Sequence, residues 1–113
     1  MERVKEMLKK MMESIKEIAE LLYQQKSIEA YHKLDGVLGD FIELVDTIYI
    51  YKKSNNLDVE STEKLADMFK EALVAMEECD FVLLADILQY EIFENLQRDY
   101  QMLEGNVENE QHI

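Results

Sequence analysis

The 113-residue chain carries 25 Asp and Glu against 12 Lys and Arg, a net charge of -13, and a surface of that sign repels phosphate backbones and anionic lipid. Neither nucleic acid nor a membrane is therefore expected as a partner. The length suits a single domain that buries about two thirds of its unfolded surface without help from metal or disulfide. The one cysteine, Cys79, has no partner within the chain and suits a reducing, cytoplasmic setting.

The absence of proline and the presence of only three glycines leave little turn punctuation, while Leu, Glu, Met, Lys and Ala are abundant. That is the composition of an all-α domain. The N-terminus, M-E-R-V-K-E-M-L-K-K-M-M-E, places charges among its apolar positions, and no uncharged apolar run is long enough for a signal peptide or a membrane span.

In chain order, Val4, Leu8, Met11, Ile15, Ile18 and Leu22 recur at spacings of four and three and predict a first amphipathic helix. After Q-Q-K-S, Ser27 is placed to cap a second helix with Leu34, Leu38, Phe41, Val45 and Ile48 on its inner face. K-K-S-N-N should end it, the lysines complementing the helix dipole and Asn55-Asn56 favouring a turn. Asp58 or Ser61 is expected to cap a third helix whose inner residues are Leu65, Phe69, Leu73 and Met76. Asp80 should cap a fourth that runs to a stop at Gly105, leaving residues 106–113 as a disordered tail beyond a single domain of residues 1–105.

Four amphipathic segments with short connections predict an up-down antiparallel four-helix bundle. The alternative is a three-helix core with the first helix loosely docked or swapped with a second chain. Residues 1–33 hold seven basic residues and six acids, whereas the remainder holds five and nineteen, so the first helix differs electrically from the body it packs on. Y-Q-Q-K-S-I-E-A-Y-H-K-L is vaguely like half a tetratricopeptide unit, but no second copy follows about 34 residues on, and a solenoid needs about three.

The fourth segment, C-D-F-V-L-L-A-D-I-L-Q-Y-E-I-F-E-N-L, is apolar on nearly every side. Phe81, Leu84, Ala85, Leu88, Ile92 and Leu96 form one stripe, Val82, Phe93 and Tyr100 a second, and Leu83, Ile87 and Tyr90 a third. Such a helix is central to its bundle or is covered by another chain. Asp86 lies within it and is expected to be a structural buried acid that accepts a hydrogen bond from a tyrosine or lysine of a neighbouring helix.

Catalytic and metal constellations are incomplete. Glu29-Ala-Tyr-His32 is one Glu-x-x-His pair where a di-iron bundle needs two with further carboxylates, and the second-helix pattern puts His32 on the polar side. Cys79 lacks the cysteine partners of a zinc site, and its neighbours Glu78 and Asp80 disfavour a reactive thiolate. No nucleophile elbow surrounds Ser14, Ser27, Ser54 or Ser61, and Gly36-Val-Leu-Gly39 lies mid-helix between Asp35 and Asp40. The chain is accordingly not expected to be an enzyme or to carry a cofactor or metal.

What remains is surface. Asp35, Asp40, Glu43 and Asp46 share the outer side of the second helix and offer an acidic face to a basic partner segment, although such faces commonly serve solubility alone. Four of the seven methionines fall in the first twelve residues, and Met7 and Met11 could supply an adaptable contact face. A homodimer is expected, with the first and fourth helices at its interface and Tyr90 and Phe93 among the contacts.

At D-F-V-L-L-A-D-I-L-Q-Y-E-I the sequence resembles the C-terminal region of small acidic all-helical bacterial proteins of undefined function. Its size, acidity and helical pattern are also similar to those of bacterial export chaperones, including flagellar ones, which shield an amphipathic segment of a client. The resemblance implies a binding role rather than a catalytic one. The expectation is therefore a cytoplasmic module of adaptor or chaperone type that binds a basic or amphipathic segment. A carboxylate-rich metal-binding bundle and a purely structural oligomer are the alternatives.

Overall fold

In the computed structural model, which describes residues 2–111 and their side chains through Gly105, the chain forms α1 (Glu2–Tyr23), α2 (Ser27–Ser54), α3 (Glu60–Glu77), and a long fourth rod. The rod is continuous: α4 (Phe81–Asp86), a π-helical turn (Ile87–Ile92) and α5 (Phe93–Gln111). The result is an all-α four-helix bundle. Named contacts give its direction. Arg3 pairs with Glu43 and Lys33 with Glu17, Lys5 approaches Glu104 while Tyr23 meets Asp86, and Phe41 stacks on Phe69 while Lys52 reaches Ser61. Each neighbouring pair is therefore antiparallel.

The three reversals are made without glycine. Gln25, Asn56 and Cys79 adopt left-handed φ values of 63°, 56° and 57°, and each turn carries the paired hydrogen bonds of a Schellman closure. Lys26 N donates to Leu21 O, Leu57 N to Lys52 O and Asp80 N to Ala75 O, at 2.8, 2.8 and 2.9 Å. The glycines lie elsewhere, within helices. At Gly105 the helix does not stop, as α5 continues to Gln111; His112 and Ile113 of the expected tail fall outside the described residues.

Capping also departs from expectation in part. Lys26 rather than Ser27 precedes α2, with no side-chain cap. Val59 precedes α3, although the Asp58 carboxylate accepts from Glu60 N at 2.9 Å. Asp80 does cap α4, accepting from Leu83 N at 3.2 Å.

Every residue of the predicted α1 stripe is buried, joined by Ala19. That helix is an integral wall of the core, which rules against a loosely docked α1. On α2 the buried set is Ala30, Leu34, Phe41, Leu44, Ile48 and Lys52, with Leu38 and Val45 half-buried. On α3, Thr62, Leu65, Phe69, Ala72 and Ala75 are buried, whereas Leu73 and Met76 are half-buried. The short side chains Ala72 and Ala75 let a neighbouring helix approach closely, and Leu73 and Met76 are left facing an open furrow shared with Leu34 and Leu38 of α2.

In the fourth rod, Phe93 N donates to Leu88 O five residues back, the defining bond of a π turn. The stripe headed by Leu84 is the core, and Ile87 joins it. Val82, Leu83 and Tyr90 remain exposed.

Candidate functional site

The most polar interior point lies where α2 ends, α3 begins and α5 passes. Lys52 projects from the last turn of α2 and is 2% exposed. An unpaired ammonium there would be prohibitively desolvated, and its three hydrogens are all used: Nζ donates to Ser61 Oγ at 2.9 Å, Thr62 Oγ1 at 2.9 Å and Asp99 Oδ1 at 3.0 Å. The first turn of α3 thus supplies two hydroxyls and α5 supplies the counter-charge. Asn95, one turn before Asp99, donates from Nδ2 to Ser61 O at 2.9 Å. This constellation was not foreseen from sequence, where Lys52 reads as an exposed complement to the helix dipole. A lysine four residues beyond Ile48, in step with Phe41, Leu44 and Ile48, is the signal that marks it as inward-facing.

Asp86 accepts a 2.6 Å hydrogen bond from the Tyr23 hydroxyl at the end of α1. That bond, with burial and the nearby carboxylate charge behind it, pushes the Tyr23 phenol from 10.0 up to about 12. Asp86 is half-buried rather than buried. Nearby, Tyr31 donates to Met76 O at 3.0 Å and rests against Phe81, and burial pushes its phenol up as well.

Met7, Met11, Asp40 and Glu43 come together in one shallow furrow of about 230 Å³ between α1 and α2. The furrow is not acidic, because Arg3 and Lys10 line it too and Arg3 pairs with Glu43 at 3.1 Å. Met11 is a core residue and Phe93 is half-buried against the core, so these two expected contact residues point into their own bundle: each falls on the side of its helix that meets the neighbouring wall. Asp35 and Asp46 are exposed on α2; Asp35 borders the furrow between α2 and α3 beside His32. Tyr90 is 60% exposed. Cys79 is exposed. Among the described residues no group of three or more His, Cys, Asp and Glu is arranged to hold a metal ion, and no helix is long and apolar enough to cross a membrane.

An apolar groove with an acidic margin lies between α3 and the fourth rod. Val74 and Ala75 on one wall face Leu83 and Ile87 on the other across a groove of about 430 Å³, with Glu71, Glu78, Glu91 and one cation, Lys70, along its margins. Val74 is 51% exposed and Leu83 45%. Val74 and Leu83, left open over the buried Ala75 and Ile87, provide a seat for a third helix, and the margins would place acids beside it.

The chain belongs to the family described as a domain of unknown function (DUF8042), which it matches over residues 1–100. No curated protein and no solved structure matches it.

Proposed function

We propose that the bundle is a non-enzymatic binding module, of adaptor or chaperone type and working in the cytoplasm, that seats a basic amphipathic helix of a protein partner between α3 and the fourth rod. The observation that carries this reading is the groove itself: exposed Val74 and Leu83 flanking the buried Ala75 and Ile87, bordered by three acids and one lysine. A helix presenting anchors at spacings of three and four would cover Val74 and Leu83, and lysines flanking its apolar stripe would meet Glu71, Glu78 and Glu91. At about 25 cal/mol per Å² of apolar surface these two side chains supply affinity, while the acids contribute orientation and association rate.

A second copy of the chain is a poorer occupant. A two-fold interface on this face would set the same acidic margins against each other, on a protein whose net charge is already -13.

The test is fluorescence anisotropy with a labelled amphipathic helical peptide of leucine and lysine, beside an analogue with glutamate for lysine, together with sedimentation of the protein alone. The lysine peptide should bind the parent and the glutamate peptide should not, and Leu83→Glu, at an exposed position, should abolish binding while the bundle stays folded. Equal binding of the lysine peptide by parent and Leu83→Glu would remove the groove as the seat. A parent that sediments as a dimer and dissociates on Leu83→Glu would replace the partner with a second copy.

A further inference from the structure

The end of α2, the connection after it, the start of α3 and the middle of α5 border a second kind of cavity, about 300 Å³ in volume, lined by Lys52, Ser61, Asn95, Arg98 and Asp99 together with Leu57, Asp58 and Met102. Its hydrogen-bond inventory does not close. Lys52 Nζ has spent its hydrogens on Ser61, Thr62 and Asp99 Oδ1, and Asn95 Nδ2 on Ser61 O. Asn95 Oδ1 and Asp99 Oδ2 are left buried with no donor, in residues that are 3% and 5% exposed. Exchanging the Asn95 amide atoms does not help, because Ser61 O needs the donor it has. The two orphan acceptors are four residues apart on α5 and so share one side of the helix. Buried acceptors are seldom left without a partner.

The charges around the cavity restrict what the donor can be. Lys52 neutralises Asp99, and of the two exposed groups that also line the cavity the Asp58 carboxylate is offset in charge by the Arg98 guanidinium, so a further buried cation would be uncompensated and the missing hydrogens must come from an uncharged group. The exposed guanidinium of Arg98 borders the same cavity and forms no ion pair among the described residues. It can therefore donate to a ligand acceptor. We propose that this cavity binds a small uncharged molecule bearing a primary amide or urea-type group, whose N–H hydrogens go to Asn95 Oδ1 and Asp99 Oδ2 and whose carbonyl accepts from Arg98. The volume is at the small end for a ligand site. Because both acceptor oxygens are buried, access requires side chains that line the cavity to move aside.

Nitrogen-labelled protein titrated by NMR with acetamide, N,N-dimethylacetamide and methylammonium tests the assignment. Acetamide should saturably shift the Asn95 side-chain amide and the backbone amides of residues 95–99. Dimethylacetamide, which keeps the carbonyl but has no N–H, and the charged methylammonium should leave them in place. Asp99→Asn puts an N–H group opposite Asn95 Oδ1 and should abolish the acetamide response. Arg98→Ala, at an exposed position, should weaken it by about tenfold, the effect of one hydrogen bond to a charged donor. Should Asp99→Asn fail to fold, the order of the three probes on the parent and the Arg98→Ala result still decide. Equal shifts from acetamide and dimethylacetamide, a response to methylammonium alone, or no response to any probe would overturn the proposal.

Discussion

Replacing Lys52 by methionine keeps most of the side-chain volume and removes only the ammonium. The Asp99 carboxylate, 7% exposed, then has no donor on either oxygen, since Oδ2 is already unpartnered, and the Ser61 and Thr62 hydroxyls lose theirs. Breaking a buried pair from one side costs about 3–5 kcal/mol, chiefly through the charge left behind. For a chain of this length the whole stability is about 6–17 kcal/mol. With a melting entropy of about 0.24 kcal/mol/K, a loss of 4 kcal/mol lowers Tm by about 17 °C. The double variant Lys52→Met, Asp99→Leu removes both charges and should be more stable than Lys52→Met alone, because apolar replacement of a buried pair is commonly near neutral. Thermal and urea denaturation of the four members of this cycle give the coupling directly. A Lys52→Met variant melting within about 3 °C of the parent, or a double variant whose loss equals the sum of the two single losses, would refute the reasoning.

Tyr23 and Asp86 give a pH-dependent prediction. Because the folded phenol sits at about 12 against 10.0 for the free group, the stability it contributes is complete below pH 10 and is lost as pH rises through 12. Tyrosinate absorbance should show this late titration, and Asp86→Asn should move it back toward the ordinary value. Asp86→Ala should cost about 1 kcal/mol and Asp86→Asn distinctly less, since the amide oxygen still accepts from Tyr23; equal losses on denaturation would mean that the charge and not the bond matters. Gly36→Ala and Gly39→Ala should each stabilise by about 0.5–1 kcal/mol, since a Cβ at either site meets nothing within 4 Å. Gln25→Gly and Cys79→Gly relieve left-handed backbone and should raise the urea midpoint by an amount equivalent to about 0.5–1 kcal/mol each.

Periodicity made α1 legible to the residue, because its stripe is regular and its neighbours on either side are apolar. On α3 the same reasoning favoured bulk, choosing Leu73 and Met76 as core. The helix instead turns its alanines inward, Ala72 and Ala75 being buried, since small side chains permit close approach and a count of apolar volume undervalues them. The reversals were located but their chemistry was not, as Gln25 and Cys79 carry no marked preference for the left-handed conformation they adopt. Lys52, Asn95 and Asp99 were illegible for a different reason. Polar residues are assigned to the surface by default, and only the simultaneous approach of three helices supplies the donors and counter-charge that make their burial tolerable. The groove beside α3 was foreshadowed by the excess of apolar residues in the fourth rod, yet its position depended on which of the three stripes the core would claim.

The wide turn at Ile87–Ile92 also has a genetic reading. In an ordinary helix, losing one codon rotates everything downstream by about 100°, which would carry Asn95 and Asp99 away from Lys52. A π turn holds one residue more than the α-helical turn it can tighten into. Deletion of a single residue within this segment can therefore be taken up by tightening, with the later residues keeping their faces. It is the stretch of the fourth rod where the reading frame of the helix has slack, and a deletion scan along the gene should show tolerance there and loss on either side.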